Sequence, residues 1–200
     1  MSKQKMKNVK KENYDFKVHK EKYQSNSDSE QSETEEGSTK EVILYKNLLK
    51  EIADTLISIV SANKKNVTRK ENSPFNNKHL PNISIFDYLV RIQKYSGIEN
   101  STIIIALIYI DRICSKKHMV LTKYNVHRIL FASILIATKY NEDHIYDNLY
   151  YSKIAGVPVS ELNSLESKFL EVINYELFVP DVIYKKYNKF LNFNELISNE

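Results

Sequence analysis

The sequence contains few of the residues that build tight turns and covalent cross-links. Its 200 residues include three glycines, four prolines, one cysteine and no tryptophan. So little glycine and proline argues against a sandwich or barrel of short strands. The single cysteine, Cys114, cannot form an internal disulfide, and no leader of the secretory type is present. We therefore expect an intracellular protein, located in the nucleus, the cytoplasm or both.

The sequence also lacks long apolar runs. The longest, residues 103–110, is far shorter than the roughly 18 residues that a membrane span requires, so we expect no membrane association. This run leads into Cys114, whose thiol we interpret as a small core group and not as a nucleophile.

Motifs that would carry chemistry are missing as well. With three glycines there is no nucleotide-binding loop of either common type. The histidines form no i, i+4 pair and have no zinc-like spacing to carboxylates. We therefore expect no enzymatic activity, no cofactor and no metal. The five histidines are His19, His79, His118, His127 and His144.

Charge is unevenly distributed along the chain. Residues 1–24 contain eight lysines against three acidic residues, and residues 25–37 contain five acidic residues and no basic one. The rest of the chain has dispersed charge without a basic cluster, which argues against a nucleic-acid partner. Residues 1–40 lack apolar periodicity and are predicted to be a disordered tail. Its acidic serine tract, residues 25–38, is either a phosphorylation region or a solvated tail.

Apolar residues recur at three- and four-residue steps along most of the chain after this tail, and strand alternation is absent. Ser84 with Asp87 forms a capping box, Gly97 and Gly156 are stop signals, and Ser160 is a predicted cap. The sequence therefore predicts an all-α fold, with the two most apolar helices at its centre. The predicted helices cover residues 41–62, 85–96, 101–116, 126–140, 150–155, 160–173 and 182–193.

Three polar residues stand out on otherwise apolar helices. Asp111 ends the innermost helix, where a buried carboxylate would need a cation or N–H groups beside it. Lys139 and Glu166 interrupt the apolar character of two later helices. Without further information, Lys139 and Glu166 are most simply ordinary surface charges.

Four ordered segments resemble the cyclin box, in particular that of P-type (PHO-like, phosphate-pathway) cyclins. They are PNISIFDYLVRIQKYSGIENS, ALIYIDRIC, LTKYNVHRILFASILIATKYNED and YYSKIAGVPVSELNSLESKFLEVINYEL. The resemblance implies a single five-helix cyclin box over residues 80–180. An N-terminal helix and polar linker, residues 41–79, and a C-terminal helix, residues 181–200, would flank it.

This resemblance also implies a function and a site. Cyclins form heterodimers with a cyclin-dependent kinase and activate it by holding its C-helix in the active position. Lys139 and Glu166 match the Lys and Glu that cyclins use together, through hydrogen bonds to main-chain groups beside that helix. The apolar positions that match the cyclin groove for the C-helix are Ile136, Tyr140, Leu170, Tyr175 and Leu177.

The sequence departs from larger cyclins at two positions. The first box helix reads ISIFDYLVRI where mitotic and S-phase cyclins have an MRAIL-like sequence that docks substrates, so that docking function is not implied here. The arginine that pairs with Asp111 in those cyclins would fall near Asn82, which leaves Arg91 or Arg128 as its partner. The alternative function is a cyclin-fold adaptor or scaffold, of transcription-factor or pocket-like type, that does not activate a kinase.

Overall fold

The computed structural model describes the backbone of residues 34–66, 73–117 and 119–197, and the side chains of residues 45–64, 73–115 and 119–191. Its internal contacts divide the chain into residues 1–38 and residues 39–200, and the core and the candidate site belong to the second unit. The predicted tail up to position 33, including most of the acidic serine tract, lies outside the described residues, as do His19 and His118.

The described residues form helices and no strands, which confirms the predicted all-α class. Within them, no helix combines the length and the apolarity needed to cross a membrane. A short 3-10 turn, Asn63–Asn66, follows the first helix. The helices are α1 Thr34–Ala62, α2 Ile85–Ser96, α3 Asn100–Lys117, α4 Val126–Asn141, α5 Asn148–Ala155, α6 Val159–Val172 and α7 Asp181–Ile197.

The ends of α2 follow the predicted local chemistry. The Ser84 hydroxyl accepts a hydrogen bond from the Asp87 amide at 3.0 Å and donates to its carboxylate at 2.6 Å. Gly97 ends the helix with a left-handed φ of 66°, and its amide donates to the carbonyl of Gln93. Both capping interactions are local, which is why the sequence alone was sufficient to place this helix.

Five helix starts differ from the prediction, those of α3, α6 and α7 by one residue and those of α1 and α5 by more. α1 begins at Thr34 and not at residue 41. α5 begins at Asn148 because the carboxylate of Asp147 accepts the amide of Tyr150 at 2.7 Å. Ser160 is not the cap of α6; Pro158 holds that position, where its missing N–H leaves no donor unpaired.

The core is centred on α3 and α4, which make the most extensive helix contact among the described elements. Ten consecutive residues of α4, 129–138, are buried. Its small residues Ala132, Ser133 and Ala137 are fully buried, so neighbouring helices approach its backbone closely. The prediction that these two helices are central is confirmed.

Helix α1 packs on this core. Its side chains Leu49, Ile52 and Leu56 are fully buried in the same apolar cluster as those of α3 and α4. The Tyr45 hydroxyl donates to the carbonyl of Ile98 at 3.1 Å, between α2 and α3. Helix α1 is therefore part of the folded bundle and not a separate appendage.

Candidate functional site

Lys139 and Glu166 are in direct contact. Lys139 lies in the last turn of α4 and Glu166 in the middle of α6, and the Lys Nζ is 2.6 Å from the Glu Oε1. Their side chains are 29% and 16% exposed, respectively. The structure thus brings together, at the surface, the two charges that sequence reasoning singled out.

The second carboxylate oxygen of Glu166 is held from α5. The Asn148 side-chain amide donates to Glu166 Oε2 at 2.8 Å and to the side-chain carbonyl of Asn163 at 2.7 Å. Glu166 therefore has one oxygen fixed by α4 and the other by α5, which sets the plane of its carboxylate. Sequence reasoning missed Asn148, because an asparagine at a helix start is ordinarily read as a local capping residue.

The helices that carry this pair are followed by large exposed aromatic side chains. Tyr140 follows Lys139 directly and is 51% exposed, while Tyr175 and Phe178, beyond α6, are 64% and 71% exposed. Phe178 was missed from sequence, although an aromatic residue just before Val179-Pro180 could have indicated an exposed turn. Exposed aromatic side chains of this size are typical of a protein-binding surface.

The other expected groove residues are less accessible. Leu170 and Leu177 are half-buried and pack against the core. Ile136 is 2% exposed, so it supports the surface from beneath and does not line it. Its place on α4 is the physical reason, because that stretch of the helix is enclosed on every side.

The turn after α6 is held by side chains from α3. Arg112 donates to the carbonyl of Glu176 at 2.5 Å and to that of Phe178 at 2.9 Å. The Tyr109 hydroxyl donates to the carbonyl of Leu177, between them, at 2.7 Å. Three consecutive carbonyl groups are thus fixed to the central helix.

The expectation for Asp111 is wrong in two respects. Its side chain is exposed and not buried, and its carboxylate accepts a hydrogen bond from the Tyr187 hydroxyl of α7 at 3.0 Å. Neither suggested arginine is its partner. Arg91 donates to the carbonyl of Lys153 at 2.8 Å, and Arg128 donates to groups in the loop before α2. Asp111 faces α7 at the edge of the bundle, where a neutral hydroxyl is sufficient because water solvates the charge.

Arg128 joins three parts of the fold. It donates to the Asn77 side chain at 2.6 Å and to the Pro74 carbonyl at 2.7 Å, both in the loop before α2. It also forms an ion pair with Glu161 in the first turns of α6. Its role within the chain is to hold this loop against α4 and α6.

The surroundings of Cys114 and His127 shift the pKa values of their side chains. Burial raises the pKa of the Cys114 thiol to about 11, and the nearby Asp111 charge adds to this, so the thiol is protonated and weakly nucleophilic near neutral pH. Burial lowers the pKa of His127, partly offset by its hydrogen bond to the Ile83 carbonyl. Within the described part of the chain, no three His, Cys, Asp or Glu residues are grouped to hold a metal ion.

Comparison with known proteins places this chain in a family. A family model described as Cyclin matches residues 9–177. Cyclin-U4-3 of Arabidopsis thaliana is 37% identical over 138 residues, which are 68% of this chain and 63% of that protein. PHO85 cyclin-7 of Saccharomyces cerevisiae is 35% identical over 129 residues, 58% of this chain and 45% of that protein. PHO85 cyclin PHO80 of the same organism is 33% identical over 136 residues, which are 65% of this chain and 46% of that protein. The chain thus covers less than two thirds of the length of each of these relatives.

Proposed function

This chain belongs to the cyclin family, and from that premise we propose that it is a regulatory subunit that binds and activates a cyclin-dependent protein kinase. Two relatives are named as PHO85 cyclins, which supports a P-type cyclin and a kinase of the PHO85 kind as partner. The protein would contribute no reacting group of its own, and would act by forming a heterodimer with the enzyme.

The observation that carries this proposal is the Lys139–Glu166 pair beside exposed aromatic side chains. A lysine ammonium has three donors and a carboxylate has about four acceptor positions, so both groups can bind further partners while remaining paired. Because each charge is already neutralised by the other, burying them under a partner costs less than burying either alone. The pair is therefore suited to contacting main-chain groups of a docked helix.

Activation follows from selective binding. In a protein kinase, the C-helix brings a glutamate to the lysine that contacts the phosphates of ATP, and this ion pair is required for catalysis. A cyclin that binds the inward position of the C-helix more tightly than the outward position shifts the kinase toward its active state. We propose that Lys139, Glu166 and the aromatic side chains around them provide this preference.

The test is to replace Lys139 and Glu166 together by alanine and to measure binding to purified PHO85 kinase by calorimetry. We expect the affinity to fall by about 100-fold, since interfacial charges of this kind contribute about 2–5 kcal/mol. The matched control replaces Lys168 and Glu171 by alanine. These two residues form a 2.8 Å ion pair on the same helix, with side chains 49% and 52% exposed, and their loss should leave binding unchanged.

Circular dichroism of both variants shows whether the helices persist, and a phosphorylation assay reports activation. Equal affinity for wild type and the Lys139, Glu166 variant would place the interface elsewhere. Binding without any rise in kinase activity would instead favour the scaffold alternative. Failure of the wild-type protein to bind PHO85 or any other cyclin-dependent kinase would contradict the proposed function.

A further inference from the structure

The turn that follows α6 has an unusual backbone. Asn174 and Tyr175 both have left-handed conformations, with φ of 57° and 56°. Asparagine tolerates this region, but a bulky residue such as tyrosine rarely adopts it without strain. The turn is closed by the Tyr175 amide, which donates to the Leu170 carbonyl at 2.9 Å. A strained backbone of this kind persists only where the surrounding structure holds it.

The restraint comes from the central helix α3. The two Arg112 hydrogen bonds to the Glu176 and Phe178 carbonyls are charge-assisted, and they use the fork of the guanidinium. Tyr109 is fully buried and bonds to the carbonyl between them, and the Arg112 guanidinium lies 5.6 Å from the centre of its ring. Together these bonds offset the strain of the turn, since hydrogen bonds from a charged donor are stronger than those between neutral groups.

The same buried hydroxyl connects this turn to the end of α4. The side chains of Asn141 and Tyr140 lie close enough to the Tyr109 hydroxyl to act on its titration. The turn is therefore continuous with the surface that carries Lys139. Tyr175 and Phe178, the most exposed aromatic side chains near it, are both displayed from this fixed backbone.

We propose that Arg112 is a positioning residue for kinase binding: it fixes residues 174–178 so that Tyr175 and Phe178 are presented to the kinase in their bound arrangement. This inference rests on the proposed function, because the kinase is the partner to which these rings are presented. Rigid aromatic groups are effective anchors, since little side-chain freedom is lost when they bind. A loose turn would have to be ordered during association, which would weaken affinity.

The test replaces Arg112 by lysine, which keeps the charge but cannot donate to two carbonyls as a fixed fork. Without any kinase, we expect amide hydrogen exchange at Tyr175 and Glu176 to become about 10-fold faster. We expect the affinity for purified PHO85 kinase to fall by about 10-fold as well. The matched control is Arg91→Lys, because Arg91 also donates to a main-chain carbonyl but contacts α5 instead; it should change neither quantity.

A double-mutant cycle separates positioning from a general loss of stability. In a protein that already has Tyr175→Ala and Phe178→Ala, Arg112→Lys should have no further effect on kinase affinity. The same 10-fold loss in that background, or unchanged exchange in the single variant, would overturn the positioning role. If wild type binds the kinase and Arg112→Lys binds equally well, only the positioning role fails. If wild type binds no kinase, the proposed function fails and the positioning role fails with it.

Discussion

Two ion pairs join α4 to α6, and they differ in what else their members contact. Arg128 pairs with Glu161 and also donates to two groups of the loop before α2. Lys139 pairs with Glu166, and its ammonium makes no other hydrogen bond or ion pair among the described residues. The first pair is therefore committed to holding the fold together. The second keeps hydrogen-bonding capacity at the surface, which is what a binding site requires.

The surroundings of the two pairs support the same distinction. The loop that Arg128 holds carries Phe75, which is buried and packs edge-on against Phe169 of α6 at 6.2 Å. By contrast, Lys139 is followed directly by Tyr140, whose side chain is 51% exposed. From these surroundings we expect different roles for the two pairs, a structural role for the first and a binding role for the second.

The strongest test of this comparison is to exchange the charges of the second pair, as Lys139→Glu with Glu166→Lys. The ion pair can form again, and Asn148 can rotate its amide to present oxygen to the new lysine, so the free energy of unfolding should change by less than about 1 kcal/mol. Kinase affinity should fall by about 100-fold, because each partner group now meets the wrong charge. Calorimetry and urea unfolding measure the two effects. Retained affinity would show that the pair serves only the fold.

At the first pair we expect the opposite result, a loss of stability with little change in kinase affinity. Arg128→Ala leaves the Asn77 side chain, the Pro74 carbonyl and the Glu161 carboxylate without their donor, and should lower the free energy of unfolding by about 2–3 kcal/mol. Kinase affinity, measured where both proteins are folded, should stay within about 2-fold of wild type. A parallel loss of affinity would remove the distinction between the two pairs.

A smaller predicted effect is a pH dependence of the free energy of unfolding. It should arise at His127, which precedes Arg128 at the start of α4. Burial lowers the pKa of His127 below its ordinary value of 6.5, so the unfolded chain takes up a proton more readily than the folded protein. The stabilising contribution of neutral His127 is fully present above pH 6.5. It is lost as the pH falls from 6.5 toward the lower pKa that His127 has in the folded protein. Urea unfolding at about pH 7.5 and about pH 5.5 should show this decrease in wild type, and a weaker one in His127→Asn. An equal decrease in that variant would assign the effect to other groups.

Sequence alone predicted the helices well where their determinants are local. The capping box at Ser84 and the left-handed Gly97 and Gly156 depend on neighbours within a few positions. The sequence also identified the central helices, because nearly every face of them is apolar. The partner of Asp111 was not predictable in this way, since Tyr187 lies 76 positions along the chain.

The candidate site was predictable only in part. Lys139 and Glu166 stood out only as polar residues on apolar helices, and the resemblance to cyclins alone favoured a binding role over that of ordinary surface charges. The structure adds their contact, while their role in kinase binding stays a prediction. Arg112 was missed because its importance lies in carbonyl groups 64 and 66 positions away, and main-chain acceptors leave no trace in the sequence.

The buried face of α1 determines how this protein can be shortened. Residues 80–180 contain every helix that the cyclin resemblance covers, and they would be an obvious fragment to express. That fragment would expose the apolar surface now covered by Leu49, Ile52 and Leu56, and such a surface promotes self-association. A fragment of this kind that failed to bind a kinase would report on a damaged bundle and not on the site, so trimming should leave α1 intact.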